Sequence, residues 1–394
     1  MENISVIASL SVLIMVSPFC SRILDVPVSV VEIALGSIAA FLGLLSSSNE
    51  MFSSISNVGF LYLMFLAGLE VNLREFAMLK KLEWQRIAFF FLIQYSASAA
   101  IFFVFDLSPI YIAALPIVSV GMIMTMIHDF KEKKHWLSFA LTLGIVGELL
   151  SICALTVLSG LTQLGGLNIS FLQTMLALLV VLFAAWLFFR LTDVLFWWFP
   201  QIKKTIMPDV GTQDEDVRVS IAIFFVLIAT MLRFELELVL GAFMAGMFIS
   251  NFFKYKTDLS IKLSSFGFGF LVPAFFIYVG STLDLRLLGD ADILLAAAAI
   301  VCAMMLMRVA GSFLAFGKLF YAKERVLIGL SESMPLTFLV AVASIGLHSK
   351  LIDQSGYSAF ILASMIEAVV IIVLIRWLLR QKRAISAYEE KRNL

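Results

Sequence analysis

Thirteen apolar stretches, each of roughly 20 residues and separated by short polar connections, constrain this chain more than any other feature. They lie at about 3–20, 27–45, 54–72, 85–105, 109–127, 136–160, 170–195, 217–232, 235–252, 263–283, 291–316, 324–346 and 356–379. Stretches of that length match the hydrocarbon thickness of a bilayer. Inside lipid every backbone amide and carbonyl must be satisfied within the protein, so such segments become helices or closed barrels. Runs this long and continuous select helices. Composition agrees: 61% of residues are hydrophobic and 14% charged, where a soluble domain carries about 25% charged. The expected fold is an all-α polytopic membrane protein. The first run follows Glu2 rather than a basic segment, so it reads as a membrane helix and not a cleaved signal.

The connections carry an independent check on the count, because Lys and Arg collect on the cytoplasmic side. With the N-terminus outside, alternate connections and the C-terminal end hold 24 of the basic residues, among them Lys80, Lys131, Lys203, Lys254, Lys318 and Arg383. The outer connections hold only Arg233, Arg286 and Lys350. One missing or extra helix would invert every later loop and destroy this split. The expected arrangement is N-terminus out and C-terminus cytoplasmic, as one transport domain with no soluble regulatory domain. Lys+Arg and Asp+Glu are equal at 28 each, and no basic tail invites nucleic acid.

The halves resemble each other. Glu32, Leu35, Gly36 and Ala40 in the second span match Glu237, Leu240, Gly241 and Ala245 in the ninth at one offset. Gly68, Leu73 and Arg74 at the end of the third match Gly280, Leu285 and Arg286 at the end of the tenth. The fifth and twelfth spans carry Pro116 and Pro335, and the sixth and thirteenth carry Glu148 and Glu367. Repeat one then covers about 3–160 and repeat two about 217–380, joined by a connector helix at about 170–195. An odd number of spans separates the partners, so the copies have opposite orientation. Inverted repeats are an architecture of alternating access around a midplane site.

Ionisable side chains within spans cost about 2.5–3.5 kcal/mol each on insertion scales, and so mark function by default. Glu32, Glu148, Arg308 and Glu367 fall near mid-span, with Glu332 nearer a span end. Glu148 is the deepest carboxylate in a span without other charge. A carboxylate in a dry site near a cation can hold a proton or a metal ion in turn, and that competition suffices for an antiporter. The alternative is a packing glutamate. Arg308 needs a partner in lipid; the expectation is that it neutralises Glu148 when no cation is bound, with a structural pair to Glu367 or Glu332 as the alternative. Glu32, Glu332 and Glu367 are accessory candidates. The fifth and twelfth spans are interrupted by Pro116, Gly121 and Pro335. Freed carbonyls there, with the hydroxyls of Ser119 and Thr125, would be hard oxygen ligands for Na⁺ or K⁺.

At these residues the sequence resembles the monovalent cation:proton antiporter-2 family, the Kef- and Nap-type sodium/hydrogen exchangers. The resemblance rests on Pro27, Glu32 and Gly36; on Phe65 to Glu70; on Leu240 to Gly246; and on Pro273 to Gly280. It implies a thirteen-helix inverted-repeat fold, a homodimer, and an elevator motion of a core domain past a dimerisation domain. It implies an ion-binding acid on the sixth helix, matched by Glu148, and a basic residue on the eleventh, matched by Arg308. The chain departs from the family pattern at Gly147, where Asn or Asp is common, and at Val118, before Ser119. It departs again at Ser333 to Pro335, where an Arg-Gly-Glu run is common.

The expected function is secondary exchange of a monovalent cation, Na⁺ foremost with K⁺ or Li⁺ as alternatives, for H⁺. One site carboxylate makes that exchange electroneutral. A K⁺-selective or uncoupled cation pathway, or a transport-deficient sensor on the same scaffold, are the other readings. No Thr-Val-Gly-Tyr-Gly filter supports a channel, and no HExxH or GxSxG motif supports an intramembrane enzyme. Cys20, Cys153, Cys302 and the three histidines are scattered, so no cofactor or structural metal is expected. The expected location is a bacterial cytoplasmic membrane.

Overall fold

The computed structural model describes residues 2–24, 26–69, 71, 80–118, 135–163, 169–199, 201, 214–234, 238–253, 257–283, 285–286, 290–333 and 335–392. Among them the regular structure is helical, and helix occupies each of the thirteen expected spans. The helices are α1 (Glu2–Leu24), α2 (Val28–Phe41), α3 (Glu50–Leu69), α4 (Lys81–Phe105), α5 (Ile110–Ala114), α6 (His135–Gln163), α7 (Ile169–Trp198) and α8 (Glu215–Arg233). Then follow α9 (Leu238–Phe252), α10 (Thr257–Phe266), α11 (Val272–Ser281), α12 (Ala291–Phe316), α13 (Ala322–Ser331), α14 (Leu336–His348) and α15 (Gln354–Arg392). The tenth span is α10 and α11 joined by a π-helical turn at Gly267–Leu271. Pro273 two residues later cannot donate to the ladder, and the widened turn lets Val272 N–H reach back to the Gly267 carbonyl.

The helix stops at both places where the prolines predicted a break. The twelfth span stops at Ser331 and restarts at Leu336, with Pro335 at the entry of α14. In the fifth span α5 ends at Ala114, and Leu115 to Val118 leave the helix. Pro116 deprives the Ile112 carbonyl of its usual donor. The Ser98 hydroxyl of α4 lies 3.2 Å from that oxygen and 2.9 Å from the Tyr111 carbonyl, and donates there instead. In α1, Pro18 leaves the Ile14 carbonyl in the same state, and the Ser17 hydroxyl sits 3.2 Å from it.

The chain forms two compact units. One comprises residues 1–20, 31–78 and 152–282; the other comprises 21–30, 79–151 and 283–394. The partition treats both halves of the sequence alike. The first three spans of each half enter the first unit, apart from the start of α2, together with the connector and the end of α6, and the rest of the last three enter the second.

Inside the first unit the repeat shows in backbone contacts. Gly36 of α2 faces the Ile277 carbonyl of α11, and Gly280 of α11 faces the Ile33 carbonyl of α2. Gly68 of α3 faces the Phe243 carbonyl of α9, and Gly246 of α9 faces the Phe65 carbonyl of α3. A Cβ at any of the four would collide with that oxygen. The two crossings are copies, with the glycine three residues after the carbonyl in all four helices. They confirm the register of Gly68 with Gly280. They correct that of the second and ninth spans: the equivalent of Gly36 is Gly246, not Gly241. Sequence matching aligned residue types, whereas the symmetry preserves the point of closest helix approach.

The second unit packs α4, the first part of α6, α12, α13 and α15 around an aromatic core. Phe90, Phe139 and Phe316 meet there, with Phe90 and Phe316 stacked at 5.4 Å between ring centroids. All four charged side chains of the site below belong to this unit.

Candidate functional site

The site starts on α6. Glu148 is 1% exposed, and Ser151, one turn on, donates its hydroxyl to the Gly147 carbonyl at 2.7 Å. The same hydroxyl oxygen accepts the Val118 N–H at 3.1 Å. Thus the broken end of the fifth span is fastened to α6 beside Glu148. Gly147 is what allows the approach. A Cβ there would come within 2.8 Å of both the Phe91 ring and the Val118 Cβ. The polar side chain that the family pattern led one to expect at 147 has no room, because Phe91 and Val118 occupy the space. Gly147→Asn is therefore expected to destabilise the protein by about 1–3 kcal/mol through overpacking, read as a lower unfolding midpoint in detergent. Phe91→Ala in the same chain should return part of that loss.

Arg308 enters from α12 and is fully buried. One Nη donates to the Ile117 carbonyl in the break of the fifth span. The other Nη lies 3.5 Å from Glu367 Oε1 of α15, and Glu367 is fully buried too. The break thus frees a carbonyl, as predicted, but it serves the guanidinium. Arg308 thus pairs with Glu367, which the sequence reading held as an alternative partner beside Glu148. Spacing along separate helices does not reveal which faces meet. One turn from Arg308, Gly311 admits Gln94 of α4, whose amide donates to the Met307 carbonyl at 3.0 Å. Gly329 of α13 packs on the Arg308 backbone, where a Cβ would meet the Val309 Cα at 2.8 Å.

Glu332 is the larger surprise. It caps α13 at the break of the twelfth span and is fully buried, although the sequence places it toward a span end. It interacts electrostatically with Arg308 and with Glu148. Thus Glu148, Arg308, Glu332 and Glu367 are all brought into one unit, from α6, α12, the α13 break and α15. Glu32 is not part of this group. It lies in the first unit, with its Oε1 3.3 Å from the Ser17 hydroxyl of α1. Ser119 and Thr125 fall outside the described residues. The sequence reading missed Ser151 and Gln94. A serine one turn after a mid-span glutamate, and a lone buried amide on an apolar helix, were the available signals.

Three carboxylates and one guanidinium, all withdrawn from water, cannot all stand ionised without a further positive charge. A proton on a carboxylate or a bound cation would relieve that cost. The arrangement suits exchange of one for the other.

Comparison with known proteins gives a consistent picture. The chain matches the family described as "Sodium/hydrogen exchanger, transmembrane" over residues 7–381. The "Putative Na(+)/H(+) antiporter YjbQ" of Bacillus subtilis is 27% identical over 372 residues, covering 88% of this chain. This chain spans only 58% of the length of that relative. The "High-affinity Na(+)/H(+) antiporter NhaS3" of Synechocystis is 24% identical, over 82% of this chain and 71% of its own. The solved structure of the sodium proton antiporter MjNhaP1 from Methanocaldococcus jannaschii at pH 8 superposes with a TM-score of 0.70 at 15% identity. It covers 96% of this chain and 97% of that one, which shows a common fold.

Proposed function

This chain belongs to the transmembrane sodium/hydrogen exchanger family, and from that membership we propose that it exchanges a monovalent cation, Na⁺ foremost, for H⁺ across the bilayer. The observation that carries the reading is the buried group around Arg308. Glu367 compensates the guanidinium, which holds its proton throughout. Glu148, the buried carboxylate of α6 beside the fastened end of the fifth span, is the group that alternates between a proton and a cation. Each loading adds one positive charge, so the exchange is one for one and electroneutral. Arg308, through the Ile117 carbonyl, and Ser151, through Val118, hold the broken fifth span against α6. Ser119 follows directly in sequence and Thr125 further along the same span, and both are proposed to add oxygen ligands. The inverted repeat supports alternating access.

The proposal extends to the arrangement in the cell. The chain acts as one transport domain, with repeat one at about 3–160, a connector at about 170–195 and repeat two at about 217–380. It works as a homodimer in a bacterial cytoplasmic membrane, with its N-terminus outside and its C-terminus inside, by an elevator motion.

The test is purified protein in proteoliposomes with an imposed pH gradient and an internal pH dye. Addition of Na⁺, Li⁺, K⁺ and choline in turn should collapse the gradient for at least one metal cation and not for choline. Current in a cation gradient without proton movement would establish an uncoupled pathway instead. No response from folded, inserted protein would establish a sensor on a transporter scaffold.

A further inference from the structure

One side of α4 touches three elements of the site. Phe91, Gln94 and Ser98 follow one another at three and four residues, so they lie along one face of the helix. The Phe91 ring packs on Gly147, next to Glu148. The Gln94 amide donates to the Met307 carbonyl at 3.0 Å, next to Arg308. The Ser98 hydroxyl reaches the Tyr111 and Ile112 carbonyls, just before the break of the fifth span.

Gln94 is the unusual member of the three. Its side chain is fully buried, and its Oε1 has no hydrogen-bond partner among the described residues. An unsatisfied buried acceptor costs more than one interhelical hydrogen bond returns inside a membrane. Adhesion between α4 and α12 therefore does not account for an amide here, since an apolar side chain of equal length would pack without that cost. The fit is also particular. A Cβ on Gly311 would lie 2.3 Å from the Gln94 Nε2, so the amide reaches Met307 only because position 311 carries no side chain. The Met307 carbonyl belongs to the peptide whose nitrogen is that of Arg308. A donor on this oxygen fixes the backbone from which the Arg308 side chain leaves. Arg308 in turn donates to the Ile117 carbonyl within the break.

We propose that Gln94 is a positioning residue for the exchange site: it holds the Met307–Arg308 peptide, and through the contact of Arg308 with the Ile117 carbonyl it sets the place of the broken fifth span. The proposal rests on the exchange reading above. A break held in one place presents its oxygens already arranged, and preorganised ligands bind a cation more tightly. Loss of the Gln94 contact thus shows in the apparent affinity for the cation. A merely structural role would show in the amount of folded protein, and so in the maximal rate.

The experiment compares wild type, Gln94→Met, Gly311→Ala and the double variant in proteoliposomes. Apparent KM for Na⁺ and for K⁺ is measured separately from maximal rate per folded protein. Unfolding midpoints in detergent are followed with and without each salt, at matched ionic strength. Gln94→Met keeps the length of the side chain and removes the donor and the orphaned acceptor together, so its midpoint without added salt should stay close to wild type. KM for the transported ion should rise roughly tenfold, and stabilisation by that salt should shrink in parallel. Gly311→Ala pushes the flexible amide off Met307 and should raise KM by a similar factor. The double variant should be no worse than either single one, because both changes remove the same contact. A wild-type KM in Gln94→Met would overturn the assignment. So would a fall in maximal rate alone, or KM effects that multiply in the double variant. If Gly311→Ala does not fold, Gln94→Met and Gln94→Leu decide the matter alone. Failure of the exchange reading itself is separate, since it would show as absent exchange in wild type.

Discussion

Glu148→Gln should reduce cation-driven collapse of a pH gradient to the rate of empty vesicles, whichever metal ion is added. The amide matches the carboxyl in shape and can ligate through its oxygen, but it can neither take up nor release a proton. If Glu148 is where proton and cation alternate, the coupling ends with it. Stability should change by less than about 2 kcal/mol, the scale of one altered buried hydrogen bond. The measurement therefore pairs a transport assay with an unfolding curve. Loss of exchange at an unchanged midpoint supports the assignment. Residual exchange near the wild-type rate would remove Glu148 from the site and move its role to Glu332 or Glu367.

The second large effect concerns Arg308. Its guanidinium touches the Ile117 carbonyl from one broken span and Glu367 from α15, all without access to water. Removing one member of a buried pair leaves the other charge uncompensated, at about 3–5 kcal/mol. Arg308→Met should lower the unfolding midpoint strongly, and Glu367→Gln should do so as well. The double variant should recover most of the loss, because no charge is then stranded. Additive losses would mean that the two side chains act independently and that Arg308 serves Glu148 or Glu332 instead. Exchange should stay impaired in the double variant even where stability returns, because the Ile117 carbonyl has lost its donor and the break beside Glu148 is no longer held.

Much of the architecture was legible because lipid leaves a chain few choices. Apolar length fixed the spans, and the basic loops fixed their number. The paired Pro116 and Pro335 marked both breaks, since a proline in hydrocarbon forces its neighbours to rescue a carbonyl. The members of the site could be named singly, because Arg308, Glu148 and Glu367 are costly where they stand. Their pairing could not. Whether Arg308 meets Glu148 or Glu367 depends on the rotation of α12 against α6 and α15, which no spacing within one helix records. Glu332 was undervalued for a related reason. Distance from a span end measures depth in the membrane, whereas its burial comes from the break that places it inside the unit. Gly147 looked like a lost ligand. It is a contact point for Phe91 and Val118, visible only once three elements are assembled.

The two glycine crossings of the first unit carry a consequence for how the two halves can diverge. At each one a backbone carbonyl meets a backbone, so what the symmetry needs is the lack of a side chain at Gly36, Gly68, Gly246 and Gly280. Elsewhere on those helices residue identity has more freedom to drift, close approaches such as Gly59 against the Leu271 carbonyl aside. Two copies can thus lose nearly all trace of common wording and still close on each other in the same way. A kinship of this kind is written in four omissions, and a comparison that scores only the letters present will pass over it.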